Sequence, residues 1–320
     1  MPVFRFSLRR VVAGCAVAAS VVAAPIACGR QAGVADSTRA AGATRATRVT
    51  PAAPVTRDDF GRALPSAGGA KRIVSINPAT TELLFAIGAG SRIVGRSEYD
   101  LLPDSARLVP SVGPALRPNL EAILGTHPDL VVVYASSDNR EAVDRLAHAG
   151  VAVVAFKIDS IEQFERDAIA LGQLTGTAAR ASEIVDSIAD TLARVRAATA
   201  DLPRPTVFLP IWERPLIAIG GGSFLSELLD IAGARNIYAD IAAPSATVTI
   251  EDVVRRNPDV ILASAATAAT IRGNAKWRAI PAVRAGRILV YDTTVIGRPS
   301  VRLGAAARSF AALLHPRVAR

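Results

Sequence analysis

Cysteine is almost absent from this chain of 320 residues: there are two, Cys15 and Cys28, both close to the N-terminus. A disulfide or a thiolate metal site in the rest of the chain is thereby excluded. Histidine is nearly as scarce, with only His127, His148 and His315, too few for a histidine-rich metal cage. Aromatic residues make up 5% of the sequence while apolar residues make up 50%. The core must therefore rest on Ala, Val, Leu and Ile, and the length suffices for two domains of ordinary size.

Acidic residues are outnumbered, which gives a net charge of +9. Residues 1–27 hold Arg5, Arg9 and Arg10 and no acid. Residues 28–70 hold six arginines against Asp36, Asp58 and Asp59, so only +3 remains for residues 71–320. A nucleic-acid binder gathers its basic residues on one folded face. Here most of the excess precedes the folded part, and no nucleic-acid partner is expected.

Residues 5–10 (RFSLRR) form a basic start, followed by an uncharged run of 17 residues over 11–27 that ends in small side chains before Cys28. This is the layout of a secretory signal. The run is near the lower limit for spanning a bilayer and rich in weakly apolar Ala, so cleavage is expected over retention. The cysteine placement resembles a bacterial lipoprotein signal, in which a Cys after small apolar residues is lipidated and becomes the new N-terminus. Cys15 has the better local pattern but almost no apolar core before it. Cys28 has a proper apolar run and is the expected site, although Pro25 stands where that pattern prefers Leu. Arg9-Arg10 lacks the flanking residues of a twin-arginine signal. Residues 28–70 are rich in Ala, Thr, Arg, Pro and Gly, with almost no large apolar side chain before Phe60. Such a stretch reads as a flexible tether.

At Lys71 the pattern changes. Residues 72–76 (RIVSI) predict a buried strand stopped by Asn77-Pro78. Thr80-Thr81-Glu82 are expected to cap a helix that ends at Gly88. Continuous apolar runs at 129–134 (DLVVVY) and 151–156 (VAVVAF) flank a helical stretch around 139–149. Runs without alternation predict parallel strands buried on both faces, hence α/β architecture. Residues 161–200 carry helical periodicity with a break at Thr175-Gly176. A second α/β set follows: a strand over 206–211, a tight turn at Gly220-Gly221-Gly222, a helix over 223–232, and strands over 259–264 and 287–291. The chain also echoes itself. Residues 119–133 (NLEAILGTHPDLVVV) match 249–263 (TIEDVVRRNPDVILA), sharing Glu121/Glu251, Pro128/Pro258 and Asp129/Asp259. Leu83-Leu84…Gly88 is similarly echoed by Leu228-Leu229…Gly233. Two similar three-layer lobes with parallel sheets follow, at 71–177 and 203–317, joined by one long helix over 178–202. A ligand cleft between them is the default expectation.

These segments, with 72–95, 97–103 (SEYDLLP), 217–240 and the closing 277–292, resemble the helical-backbone class of solute-binding proteins of ABC transporters, and above all its vitamin B12 branch. The resemblance covers about residues 71–317, carried by the order and spacing of the segments. It implies a binding protein rather than an enzyme, tethered outside the cytoplasm by a lipid anchor, with no cofactor of its own. Its ligand would be a corrinoid or another metal chelate, with ferric siderophore or haem as alternatives. Its partners would be the permease subunits of the transporter. Glu121 and Glu251 match the family's two docking carboxylates, one per lobe. Each also stands in the first turn of a helix, where a carboxylate favours the helix dipole in any protein. Tyr99 matches a ligand-contacting aromatic. Trp212 and Arg298, on loops following strands, are candidates for stacking on a planar ligand and for holding its carboxylates or amides. Trp277 matches a packing tryptophan. Aromatics that often line the cobalamin cleft are missing at 112–114 and 244–247. His127, in a turn position matched by Asn257, is a poor axial ligand for haem.

Other classes fit less well. Gly222-Ser223-Phe224-Leu225 is not the Gly-x-Ser-x-Gly of a serine hydrolase. Gly220–Gly222 lacks both the dinucleotide fingerprint and the Lys-Ser/Thr of a P-loop. A chelatase would need a His/Glu metal pair, and a receptor-docking sensor would have no need of two matched carboxylates.

Overall fold

The structure is a computed structural model and describes residues 55–316. The leader, Cys15, Cys28 and the first part of the expected tether lie outside the described residues.

The N-terminal half contains β1 (Ile73–Ser75), α1 (Pro78–Ala86), β2 (Ile93–Arg96), α2 (Leu120–Gly125), β3 (Leu130–Tyr134), α3 (Ser137–His148), β4 (Ala152–Phe156) and α4 (Ile161–Thr175). Its sheet is parallel, in the order β2-β1-β3-β4. The long helix α5 (Ala178–Thr199) leads to the second half. There follow β5 (Thr206–Phe208), β6 (Pro210–Glu213), β7 (Leu216–Ile219), α6 (Phe224–Ile231), β8 (Arg235–Asn236), β9 (Ser245–Thr247), α7 (Ile250–Arg256), β10 (Val260–Ala263), α8 (Ala265–Gly273), α9 (Pro281–Arg284), β11 (Ile288–Val290), α10 (Thr293–Ile296) and α11 (Leu303–Leu314). The second parallel sheet has the order β11-β10-β5-β8. The two sheets therefore share one topology, with β5, β8, β10 and β11 in the places of β1, β2, β3 and β4.

The continuous apolar runs are explained by burial on both faces. Along β3, Leu130 and Val132 join one core while Val131 and Val133 join another. The inner core is common to both halves: Ile73, Leu83 and Val154 belong to the same cluster as Val207, Leu228 and Leu303. The helix α5 packs on α4 of the first half and on α6 and α11 of the second. The lobes are thus welded through shared apolar burial, the largest stabilising contribution available to them.

The echoed segments have matching local geometry. Asn119 and Thr249 cap their helices, accepting the N–H of Ala122 at 3.1 Å and of Asp252 at 3.2 Å. His127 and Asn257 close those helices in the left-handed region, at φ 48° and 45°. The Asp129 carboxylate accepts the backbone N–H of Lys71 at 2.9 Å, and Asp259 accepts that of Thr206 at the same distance. Each echoed Asp therefore braces the start of its lobe's first strand.

Three expectations need correction. The tether does not extend to residue 70. Asp58 is buried and accepts the N–H groups of Phe60, Arg62 and Ala155, while the Asp59 N–H donates to the Ala155 carbonyl. The Asp59 carboxylate also pairs with Arg166, and the Arg140 guanidinium stacks on Phe60 at 4.1 Å. The segment thereby covers β4, the edge strand of the sheet. Composition hides this because much of the ordering comes from polar groups satisfying distant backbone, with only Val55, Phe60, Leu64 and Ala70 adding apolar contact to the cores. Second, the cap of α1 is Asn77, whose side chain accepts the Ala79 N–H; Thr80, Thr81 and Glu82 lie buried inside the helix. Third, the strand expected over 206–211 breaks after Phe208. Pro210 has no N–H to continue a ladder, and the chain turns into an antiparallel sheet of order β6-β7-β9. The expected tight turn at Gly220–Gly222 is present, with the Ser223 N–H donating to the Gly220 carbonyl at 3.3 Å, and its glycines are needed for space. A Cβ on any of them would collide with the carbonyl oxygens of Ala243, Ala239 or Ala242, and none has a positive φ.

Candidate functional site

Three parallel strands of the N-terminal sheet deliver their carboxyl ends to one place. Asn77 follows β1, Tyr134 closes β3 and Ile158 follows β4. Together with Pro78 and Ala79 they line one side of a cavity of about 410 Å³. The other side is Thr293, Gly297, Arg298 and Pro299, from the segment after β11. The cavity thus lies between the lobes, at the carboxyl ends of strands in both sheets, where open α/β sheets hold ligands.

Its donors are the Asn77 amide and the Arg298 guanidinium. The Asn77 side chain spends its oxygen on the Ala79 N–H, and its Nδ2, on a residue only 7% exposed, has no partner among the described residues. The Tyr134 hydroxyl donates to Asp159 at 2.8 Å, and burial with that carboxylate raises its pKa, so it stays neutral. Arg298 reaches behind the cavity to Glu82, which is 3% exposed, with Nε 3.3 Å from one carboxylate oxygen. Arg302 approaches the other oxygen at 3.5 Å. Neither contact has hydrogen-bond alignment. This pair of guanidiniums on one buried carboxylate ties α1 of the first lobe to the α10–α11 segment of the second.

Beside Glu82 lies a buried hydroxyl and carboxylate network. Asp100 accepts the Ser97 N–H at 3.0 Å and the Ser97 hydroxyl at 2.9 Å, and Thr81 Oγ1 lies 3.0 Å away. Burial pushes the Asp100 carboxyl up from 3.8 to about 6, against the opposing pull of these hydrogen bonds and of Arg96. The native state therefore holds this proton more tightly than the unfolded chain does. The resulting stabilisation is full below the ordinary carboxyl range and is lost as pH rises through about 6. Between pH 4 and 7 the stability of the wild type relative to Asp100→Asn is expected to fall by about 2 kcal/mol, read from urea midpoints. A difference that does not change with pH would show that this carboxyl ionises normally.

The family model described as periplasmic binding protein matches residues 73–294. The chain belongs to this family. A curated member, the vitamin B12-binding protein of Vibrio parahaemolyticus, is 25% identical over 233 residues, covering 72% of this chain and 85% of that one. Among solved structures, the periplasmic vitamin B12-binding protein BtuF of Vibrio cholerae superposes with TM-score 0.68 at 25% identity, covering 77% of this chain and 96% of BtuF. A periplasmic haem-binding protein of Pseudomonas aeruginosa gives TM-score 0.70 at 25% identity, covering 78% and 94%. The expected binding-protein family and its two-lobed α/β fold are borne out.

Against this periplasmic binding protein frame the residues singled out in the sequence separate. Arg298 lines the interlobe cavity. Tyr99 and Trp212 do not line it; each is 61% exposed. Tyr99 rides on the loop that Asp100 pins down. Trp212 stands on β6, its indole N–H donating to the Arg214 carbonyl at 3.1 Å. Trp277 is buried against Phe208, with ring centroids 5.9 Å apart. Glu121 and Glu251 are exposed in the first turns of α2 and α7, the matching helices of the two lobes. Sequence reasoning missed Asn77, Tyr134 and Glu82. Tyr134 carried a signal, a polar tip closing an otherwise apolar strand. Glu82 carried another, a charge inside the expected helix directly before the apolar pair Leu83-Leu84.

Proposed function

We propose that the chain is the solute-binding component of an ABC importer, holding a bulky metal chelate between its lobes and passing it to membrane permease subunits. A corrinoid is the first choice of ligand. The reading rests on the cavity at the carboxyl ends of both sheets, together with relatives named for vitamin B12. The shared inner core supports small lobe movements, because opening the lobes widely would expose that core to water. Arg298 and the free amide of Asn77 supply donors for amides or carboxylates of the ligand, and Tyr99 and Trp212 present exposed aromatic surface at the N- and C-terminal lobes. No step of this role needs catalysis. Haem is the second reading, favoured by these donors, which suit propionates, and by the haem-binding neighbour.

Calorimetric titration of the purified protein with cyanocobalamin, haemin and a ferric hydroxamate tests the reading. Saturable one-to-one binding of cobalamin is expected; binding of haemin alone selects the second reading, and binding of none sinks both. The same role places the chain outside the cytoplasm, anchored by a lipid on Cys28. Intact mass of the membrane-extracted protein is expected to show an acylated N-terminal Cys28. An acyl group on Cys15, or none, overturns the anchor.

A further inference from the structure

A second cavity, about 450 Å³, lies between α5 and α11 and shares no residue with the interlobe cavity. Its size is that of a small-molecule site. Val195, Ala198, Ala311 and Ala312 supply apolar wall. Thr191 and Thr199 also line it, but their hydroxyls are spent on carbonyls one turn back in α5, those of Ser187 at 2.9 Å and Val195 at 3.1 Å. Neither hydroxyl is therefore free to act as a donor to an occupant. His315, 9% exposed, donates from Nε2 to the Ala232 carbonyl at 3.0 Å, which leaves Nδ1 without a partner among the described residues.

The charge of this trough is one-sided. Arg194 and Arg308 both line it, and no carboxylate does. Among the described residues Arg308 makes no hydrogen bond or ion pair, and Arg194 bonds only to the Thr191 hydroxyl, at 3.0 Å. Elsewhere in the molecule arginines are commonly matched, as with Arg166 on Asp59 or Arg256 on Asp240. Two unmatched guanidiniums beside an apolar trough complement a molecule with an anionic head and an apolar body. A planar guanidinium pairs best with a carboxylate, through parallel N–H donors.

We infer that this trough binds a single-chain amphiphilic carboxylate, its head on Arg194 and Arg308 and its chain along Val195 and Ala311. The site is independent of the solute proposed for the interlobe cleft. Dodecanoate is the probe, titrated below its micelle concentration into the full protein and followed by calorimetry and thermal shift. One saturable site per chain is expected, with dodecanol and acetate each binding at least tenfold more weakly. Arg194→Gln/Arg308→Gln should weaken dodecanoate at least tenfold and leave the melting temperature of the free protein nearly unchanged, since both side chains are exposed. Ala311→Phe, which fills the trough, should weaken it while keeping both arginines. Arg298→Gln should leave it unaltered. Equal binding of dodecanol, many weak sites, indifference to the arginine pair, or loss on Arg298→Gln would each overturn the inference.

Discussion

Glu82→Ala is expected to lower the stability of the protein by about 3–5 kcal/mol, the cost of removing one partner from a buried ionic group. The carboxylate is almost wholly buried, and both of its oxygens face guanidiniums from the other lobe. Removing it leaves Arg298 and Arg302 close together without a counter-charge. Arg302 keeps one bond, to the Thr294 carbonyl at 2.7 Å, which does not neutralise it. Urea unfolding of wild type and variant measures the loss. Glu82→Gln should cost nearly as much, because an amide fills the space without the charge. Replacing all three residues by leucine should recover most of the loss, since a buried ion pair gains little over apolar packing of similar volume. A loss below about 1 kcal/mol for Glu82→Ala would mean that the carboxylate does not hold the two arginines. Ligand affinity is expected to change as well, because Arg298 borders the interlobe cavity and would lose its fixed position.

If the two first-turn glutamates meet the permease, reversing both, Glu121→Arg with Glu251→Arg, is expected to reduce transport by more than about 100-fold, while ligand affinity stays as it was. Replacing attraction by repulsion at two charge contacts of an interface costs several kcal/mol, and each 1.4 kcal/mol is a factor of ten. Neither glutamate lines the interlobe cavity, so the solute should bind normally. The measurement also separates docking from simple helix capping. A first-turn carboxylate favours its helix dipole by about 0.3–1 kcal/mol, so capping alone predicts a small stability loss and unchanged uptake. Asn119 and Thr249 still cap both helices in the variant. Reconstituted uptake with each single variant should give intermediate loss, because the two lobes present the charges separately. Full uptake by the double variant would sink the docking role.

Much of the molecule was legible because the signals are local. Valine-rich runs such as 130–134 are buried on both faces and show it by lacking alternation. The repeated Asn/Thr cap, left-handed residue and Pro-Asp brace lie within fifteen residues of each other in each copy, so the duplication appears as a pattern in one dimension. The break between α4 and α5 is carried by Gly176, whose φ of 69° suits a helix end. What failed to show has partners far along the chain. The ordering of 55–64 depends on Ala155 and Arg166, the exclusion of side chains at Gly220–Gly222 on the backbone of 239–243, and the role of Glu82 on Arg298 and Arg302.

The sequence by itself therefore determined two α/β lobes of one design joined by a helix, and one exposed first-turn glutamate in each. Helical and strand periods, caps and turn residues act over a few positions, and their record is written in residue order. Only the tertiary structure decided that the lobes share a single core, that Arg298 borders the cavity while Tyr99 and Trp212 stand in solvent, and that a buried carboxylate couples the halves. Those outcomes depend on burial and on charges meeting across the fold, and the free energy of a charge is set by what surrounds it rather than by its neighbours in sequence.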